Sequence, residues 1–323
     1  MNSDIKGFSL LVTGATGLIG QALINKLVEN GNKVIAVVRN WEKANRLFGE
    51  NNNISYIVSD ITELEVKKYN VDYIIHAAAN TSSQAFINDP VGVINTAIEG
   101  TKRTLDIARI SKVRGYIFLS SMEVYGTPNT DEKIDEFHGS NINTMLVRSA
   151  YPESKRMCEC LCASYKSQYG VPAKVVRLTQ TFGPGVQYDD GRVFAEFARC
   201  VIEERDIILR TKGETKRNYL YTEDAVDAIL TVAAKGDVGE AYNAANEGTY
   251  CSIREMAELV AGECAGGKIK VGIHEEDTVN YGYASTLHMN LDTTKLRKLG
   301  WSPTVSLLKM FLMTIDSMRG QKR

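Results

Sequence analysis

The feature that most constrains the fold is a glycine-rich turn between a predicted strand and a predicted helix near the start of the chain. Residues 8–13 form an uninterrupted apolar run, typical of a strand covered on both faces, and residues 21–31 have the spacing of an amphipathic helix. Missing side chains let the backbone turn sharply and approach a ligand, while the helix N-terminus attracts an anion. The residues predicted to hold a dinucleotide here are Gly14, Thr16, Gly17, Leu18, Ile19 and Gly20. A tight turn without a ligand is the alternative.

The alternation of strand and helix continues along the first half of the chain. Apolar runs predict strands at 34–38, 54–60, 72–79, 115–121 and 173–179, and longer amphipathic segments predict helices at 91–111 and 151–169. Such alternation implies an α/β fold with a doubly wound parallel sheet. We predict a dinucleotide-binding domain over residues 1–179 and a smaller substrate-binding lobe over 180–323, with 240–246 returning to the sheet.

Composition excludes several classes of protein. Among 323 residues, 38 Lys and Arg nearly cancel 39 Asp and Glu, so no overall field attracts nucleic acid or an anionic membrane. No apolar stretch approaches the ~18 residues of a membrane span, and the start has no cleavable hydrophobic segment, so we expect a cytoplasmic protein that does not bind a membrane. The six cysteines form no C-x-x-C pair, and we predict reduced thiols and no metal.

The residue after the second strand is expected to choose between two dinucleotides. A carboxylate there accepts a hydrogen bond from a ribose hydroxyl, whereas a guanidinium pairs with a 2'-phosphate. Arg39 occupies this place, and no acid follows until Glu42. NADP(H) is therefore favoured, and NAD(H) bound through other contacts is the alternative. Asp60 and Ile61, at the end of the third strand, suit the adenine edge, although Asp60 can equally cap the next turn.

A second motif indicates proton transfer at a substrate oxygen. Tyr151 and Lys155 lie four positions apart, so on a helix they share one face. A cation beside a phenol lowers the phenol pKa, which suits Tyr151 as a proton acceptor near neutral pH. Ser121, at the end of the strand 115–121, is expected to hold the substrate oxygen. An exposed helix pair is the alternative for Tyr151 and Lys155 alone, but the dinucleotide turn and the strand-end serine favour catalysis.

These motifs resemble the extended short-chain dehydrogenase/reductase superfamily, in particular its nucleotide-sugar epimerase/dehydratase branch. The segments that carry the resemblance span nearly the whole chain and occur in the branch's order: GATGLIG at 14–20, HAAA at 76–79, SSMEVYG at 120–126, YPESK at 151–155, RLTQTFGP at 177–184, RNYLYTED at 217–224 and LDTTKLRKLGW at 291–301.

The resemblance implies a Rossmann domain, a Ser-Tyr-Lys catalytic set and reversible hydride transfer to a nicotinamide. It also implies a nucleotide diphosphate sugar or polyol as the ligand and a homodimer formed by two long helices, which would place Cys158 and Cys162 near the interface. By the same resemblance the cofactor site gains Ala77, Ala78 and Ala79, and the substrate site consists of Thr81, Ser121, Gln180, Arg192 and Arg217.

Departures from the branch's pattern bear on the net reaction. Met122 stands where the 4,6-dehydratases carry an acid, and a thioether cannot donate a proton. Glu123 is kept, as in UDP-glucuronate decarboxylases, either to transfer a proton or to organise its loop. Residues 190–193 also resemble a decarboxylase loop, but Gly185 replaces the arginine that those enzymes carry. Gln180 stands where the branch usually has asparagine.

Arg39 and Met122 together favour NADPH-dependent reduction of an activated keto sugar, which would yield an activated deoxy sugar or polyol. Glu123 and residues 190–193 favour the alternative, an NAD-dependent epimerase, 4,6-dehydratase or UDP-glucuronate decarboxylase. A catalytically silent NADP-sensing protein is a further alternative, against which the intact Ser121, Tyr151 and Lys155 argue.

Overall fold

A computed structural model describes residues 5–82, 84–276 and 286–321. In chain order its strands are β1 Ser9–Thr13, β2 Lys33–Val38, β3 Ile54–Val58, β4 Tyr73–His76, β5 Gly115–Ser121, β6 Asn129–Ile134, β7 Ala173–Leu178, β8 Gln180–Phe182, β9 Ile207–Leu209, β10 Lys216–Tyr221, β11 Ala241–Ala244, β12 Asn246–Ser252, β13 Val271–Ile273 and β14 His288–Leu291. Its α-helices are α1 Leu18–Glu29, α2 Trp41–Phe48, α3 Ala85–Asn88, α4 Pro90–Ser111, α5 Ala150–Tyr169, α6 Val193–Glu203, α7 Thr222–Lys235, α8 Ile253–Leu259, α9 Thr294–Arg297 and α10 Leu307–Gln321.

Seven strands form one parallel sheet in the order β11-β7-β5-β4-β1-β2-β3. The predicted α/β fold with a doubly wound parallel sheet is therefore confirmed. From β1 the chain builds outward through β2 and β3, and β4 then begins the other half on the opposite side of β1. Strand order thus reverses between β1 and β4, and in doubly wound sheets a ligand crevice opens at the carboxyl ends of such a pair. Thr13 and His76 are paired in register at the carboxyl ends of these two strands.

Alternate residues of β1 feed the cores on the two faces of the sheet. Leu10 and Val12 are fully buried against α1 and α7, whereas Leu11 is fully buried on the opposite face, which α4 and α5 cover. This two-sided burial explains the uninterrupted apolar run in the sequence. The predicted stop of α5 is also confirmed, because Gly170 closes the helix with a positive φ of 70°.

The second half of the chain builds a smaller lobe around a five-stranded sheet, in which β12, β10, β14 and β6 are neighbours and β8 pairs with β10. In its core, α6 and α10 pack around Phe182. The ring centroid of Phe182 lies 4.5 Å from that of Phe194, on which it stacks, and 5.0 Å from that of Phe311. The chain crosses between the sheets, since β6 joins the second sheet and β11 pairs with β7 in the first. The division at residue 179 stays a prediction. Within the described ranges, no helix has the length and apolar character that crossing a membrane requires.

Candidate active site

The glycine turn lies against the end of β4 so closely that side chains are excluded from it. Gly14 has a φ of +67°, and a Cβ there would lie 2.7 Å from backbone atoms of Ala77 and Ala78. A Cβ on Gly20 would lie 2.1 Å from the Gly14 carbonyl oxygen. Gly17, which precedes α1, provides no side-chain cap, so the first N–H groups of that helix stay available to an anion. A turn without side chains that leads into an uncapped helix of 12 residues fits a dinucleotide pyrophosphate.

The remaining predicted cofactor residues of this region border the same crevice. Thr16 precedes α1, Leu18 and Ile19 form its first turn, and Ala79 continues the segment after β4. Their contacts with a cofactor stay predictions.

A buried hydrogen-bonded pair fixes the approach of β1 to β4. The Thr13 hydroxyl lies 2.8 Å from Nδ1 of His76, and the same oxygen accepts a hydrogen bond from the Ala78 N–H at 3.1 Å. Burial, together with the smaller effect of the Lys155 charge, lowers the pKa of His76 to about 3. The imidazole is therefore neutral, and its hydrogen bond to Thr13 holds β4 against β1 beneath the crevice. The sequence analysis assigned Thr13 and His76 no role, because their pairing depends on strand register.

The residues after β2 and β3 differ in how firmly they are held. Arg39 is exposed directly after β2. The Asp60 carboxylate accepts hydrogen bonds from the Thr62 N–H at 2.9 Å and the Thr62 hydroxyl at 2.7 Å, and these bonds lower the pKa of Asp60. Asp60 thus adopts the capping alternative. Ile61 packs on α4, because a Cβ on Gly100 would lie 2.8 Å from its side chain.

The predicted catalytic side chains lie where β5 ends and α5 begins. Ser121 is the last residue of β5, and its hydroxyl accepts a hydrogen bond from the Glu123 N–H at 3.2 Å. Tyr151 and Lys155 are both buried on one face of α5, and the Lys155 Nζ lies 6.0 Å from the centre of the Tyr151 ring. That ammonium donates a hydrogen bond to the Leu119 carbonyl at 2.7 Å, and burial lowers the pKa of Lys155 to about 8.

The expected lowering of the Tyr151 pKa is wrong in its net direction. Burial raises the pKa of Tyr151, and the nearby charge of Glu123 raises it further. A hydrogen bond with Ser121 and the charge of Arg148 oppose this rise without reversing it. The cause of the burial is a ring of Phe86 on α3, which stacks on the Tyr151 ring with centroids 4.5 Å apart and planes at 21°.

Arg148 is a part of the site that the sequence analysis missed. Its Nη2 lies 3.0 and 2.8 Å from the two carboxylate oxygens of Glu123, and its guanidinium lies 4.6 Å from the ring of Phe86. Arg148 belongs to the short turn Val147–Ser149 that leads into α5. No local spacing indicates this role, since the two charged residues are 25 positions apart in the chain.

The predicted substrate residues are brought together only in part. Arg217 on β10 and Gln180 on β8 are joined by a hydrogen bond of 3.5 Å, and the Arg217 Nε is buried without a hydrogen-bond partner among the described residues. Arg192 instead pairs with Asp190 through its Nε at 2.9 Å and its Nη2 at 2.5 Å. Thr81 is exposed in the segment after β4.

Comparison with known proteins agrees with this geometry. Residues 10–245 match the model of the NAD dependent epimerase/dehydratase family. The chain belongs to this family. It is accordingly an enzyme of the extended short-chain dehydrogenase/reductase type, as the resemblance predicted. Two curated relatives are UDP-glucuronic acid decarboxylase 5 of Arabidopsis thaliana, 30% identical over 92% of this chain and 85% of that protein, and UDP-glucuronic acid decarboxylase 1 of Xenopus tropicalis, 29% identical over 96% of this chain and 72% of that protein.

Solved structures of family members share the fold. UDP-glucose 4-epimerase of Thermotoga maritima with UDP-glucose matches 98% of this chain and 100% of its own with a TM-score of 0.83 at 24% identity. UDP-N-acetylglucosamine 4-epimerase of Methanobrevibacter ruminantium in complex with UDP-N-acetylmuramic acid matches 98% of this chain and 99% of its own with a TM-score of 0.86 at 20% identity.

The two cysteines that the family resemblance places near a dimer interface are buried. Cys158 and Cys162 lie inside the chain's own core, between α5 and α4. Their nearness to an interface with a second copy stays a prediction. The Cys158 thiol accepts a hydrogen bond from the Thr101 hydroxyl at 3.2 Å and donates one to the Ala97 carbonyl at 3.3 Å. Both cysteines therefore serve the packing of α4 on α5.

Proposed function

We propose that the protein is an NAD-dependent enzyme that acts on a nucleoside diphosphate hexuronate, oxidising C4 and releasing the C6 carboxylate as carbon dioxide. UDP-glucuronate is the first substrate to test. The observation that carries the proposal is the environment of two neighbouring residues. Glu123 lies beside Tyr151, whereas Met122 is buried, with the Thr179 hydroxyl 3.3 Å from its sulfur. Met122, at the position where the dehydratases carry an acid, thus offers no proton. Glu123 keeps the carboxylate that the decarboxylases have.

The side chains at the end of β5 would handle the proton of the sugar 4-hydroxyl. When bound, NAD would accept a hydride from the sugar carbon and later return it. Tyr151 would take the hydroxyl proton and give it back, while Ser121 would donate a hydrogen bond to the same oxygen. Loss of the carboxylate breaks the C5–C6 bond and leaves its electron pair on the sugar, where the oxidised C4 next to C5 can accept it as an enolate. C5 would then take a proton from water, which restores the ketone at C4 before the hydride returns to that carbon. The buried ammonium of Lys155 would hold the nicotinamide ribose.

Arg217 is the best-placed residue for the substrate diphosphate, because its Nε has no partner within the described chain. Gln180 would assist through the hydrogen bond that already joins the two side chains. Arg192 is bound to Asp190 and would have to leave that carboxylate to reach a substrate. The contact of Thr81 with the sugar stays a prediction.

NAD is proposed over NADP because the family and the relatives favour the NAD-dependent alternative rather than net reduction by NADPH. Arg39 favours NADP(H) instead, as a possible partner of a 2'-phosphate. The bound cofactor would be recycled within each turnover, so no reductant would be consumed. We also propose that the protein forms a homodimer through the outer faces of α4 and α5. Light scattering of the purified protein, which measures its molar mass in solution, tests this.

A second candidate is a nucleotide-sugar 4-epimerase, favoured by Gly185. This residue has a φ of +93°, a conformation that suits glycine, and the decarboxylases carry arginine here. The missing guanidinium removes a partner for the substrate carboxylate. Epimerisation needs the same Tyr151 and Ser121 but leaves the carboxylate in place.

The test is to incubate the purified protein with UDP-glucuronate and NAD and to follow the sugar by nuclear magnetic resonance. The proposal expects a UDP-pentose and carbon dioxide, no consumption of NADPH, and loss of turnover in Tyr151→Phe. Conversion to a UDP-hexuronate of inverted C4 establishes the epimerase instead. Net oxidation of NADPH with a UDP-keto sugar restores the reductase and refutes the proposal.

A further inference from the structure

An ion pair beside Tyr151 has no part in the proton transfers described above. Glu123 lies in the turn Met122–Tyr125, directly after Ser121, and Arg148 lies in the turn that leads into α5. One nitrogen of Arg148, Nη2, lies within 3.0 Å of both carboxylate oxygens of Glu123. The pair therefore links the two segments that carry the proposed catalytic serine and tyrosine.

A second contact of Arg148 reaches the tyrosine ring itself. The guanidinium lies over Phe86 at 4.6 Å, and Phe86 in turn stacks on Tyr151 at 4.5 Å. Phe86 is 2% exposed and Tyr151 is 7% exposed, so neither ring can move without disturbing its neighbours. Arg148 thus contacts both the charged and the aromatic neighbours of Tyr151.

We propose that Arg148 is a positioning residue that, through Glu123 and Phe86, fixes the ring of Tyr151 and sets how readily this tyrosine gives up its proton. The inference rests on the proposed function, in which Tyr151 exchanges a proton with the substrate hydroxyl.

The charges around Tyr151 give this role a definite sign. Glu123 opposes a phenolate, and Arg148 favours one. Among the described residues, Lys155 on α5 is a further charged group close to the ring, and Phe86 and Val93, which pack on it from α3 and α4, carry no charge. While Arg148 and Glu123 are paired, their effects on the phenol largely cancel. Removing either residue alone leaves the other charge uncompensated, so the two removals act in opposite directions.

The experiment compares the pH profile of turnover in wild type, Arg148→Gln, Glu123→Gln and the double variant. An opposite charge at this range shifts a pKa by about one unit or more, so we expect the midpoint to rise by about one pH unit in Arg148→Gln and to fall by about one in Glu123→Gln. The double variant returns to within a few tenths of wild type. Midpoints are compared rather than maximal rates, so a separate effect of Glu123 on the rate does not interfere.

Arg254→Gln is the matched control, because this exposed arginine pairs with Glu258 at 3.0 Å on α8 of the smaller lobe and should leave the profile unchanged. Shifts of both single variants in the same direction, or a double variant displaced from wild type by about one pH unit, overturn the inference and leave Arg148 with a purely structural role.

A readout without turnover separates this inference from the proposed function. With carbon-13 in the tyrosine rings, the Tyr151 resonance is assigned by its loss in Tyr151→Phe. At the highest pH at which all three proteins remain folded, the ionised fraction of the Tyr151 phenol is expected to be largest in Glu123→Gln and smallest in Arg148→Gln. This order supports the inference even if UDP-glucuronate is not a substrate, and equal titration in the three proteins refutes it.

Discussion

Gly20 gives the sharpest test of the cofactor crevice, because two alanine substitutions in the same turn have different expected effects. In Gly20→Ala the new Cβ lies 2.1 Å from the Gly14 carbonyl oxygen and 2.9 Å from its carbon, both backbone atoms. This clash can be relieved only if the turn shifts by about 1 Å, although the turn is itself packed against Ala77 and Ala78. Overpacking of this kind costs ~1–3 kcal/mol or more, and the better helix propensity of alanine returns at most ~1 kcal/mol.

We therefore expect Gly20→Ala to lose about 2 kcal/mol of unfolding free energy, which lowers the melting temperature by roughly 3 °C in a chain of 323 residues. NAD affinity should fall at least tenfold, since the displaced backbone forms the pyrophosphate site. In Gly17→Ala the new Cβ lies 3.3 Å from the same oxygen, so stability should change little while NAD affinity still falls. Thermal unfolding and NAD titration measure both effects. A Gly20→Ala protein with wild-type melting temperature and NAD affinity refutes this account of the turn.

Three further predictions concern residues outside the turn. Because the folded pKa of His76 is lowered to about 3, its contribution to stability is present above about pH 6.5 and is lost as the pH falls toward 3. The free energy of unfolding should thus fall by ~2 kcal/mol near pH 5. In urea unfolding, His76→Asn should lack this dependence on pH. Asp224 is buried and accepts hydrogen bonds from Thr304 and Val305, so Asp224→Ala should cost about 3 kcal/mol in urea unfolding and Asp224→Asn less. Arg39→Ala should weaken binding of NADP but not of NAD in a fluorescence titration, and an equal effect on both would contradict a 2'-phosphate contact.

Features fixed by local periodicity could be predicted from the sequence. The run at 8–13 and the helix at 91–111 have patterns that only a two-sided sheet and a long packed helix satisfy, and β1 and α4 lie there. The glycine spacing predicted the bare turn for the same reason. The amphipathic helix α6, Val193–Glu203, was not predicted. Its apolar face, which includes Phe194 and Phe197, is short and directly follows a segment with the composition of a loop.

Contacts between distant segments could not be predicted in this way. The four-residue spacing correctly placed Tyr151 and Lys155 on one buried face of α5. It did not determine the direction of the Lys155 ammonium, which donates to the Leu119 carbonyl and lies 4.6 Å from the Phe118 ring. A buried cation must satisfy its donors with the nearest acceptor, and here that acceptor belongs to β5.

The electrostatics of Tyr151 therefore depend on two segments that meet only in the folded chain. A phenol stacked under Phe86 is deprived of water, and its neutral form is favoured until a charge compensates. The helix that carries Tyr151 also carries the cation of Lys155. The charges of Glu123 and Arg148, which act on the phenol in opposite directions, come instead from two turns outside that helix. Since each of these residues is balanced by the other, the tyrosine can be tuned by small displacements of either turn. A substrate that neutralises Glu123 as it binds would therefore favour the Tyr151 phenolate, whereas one that neutralises Arg148 would oppose it.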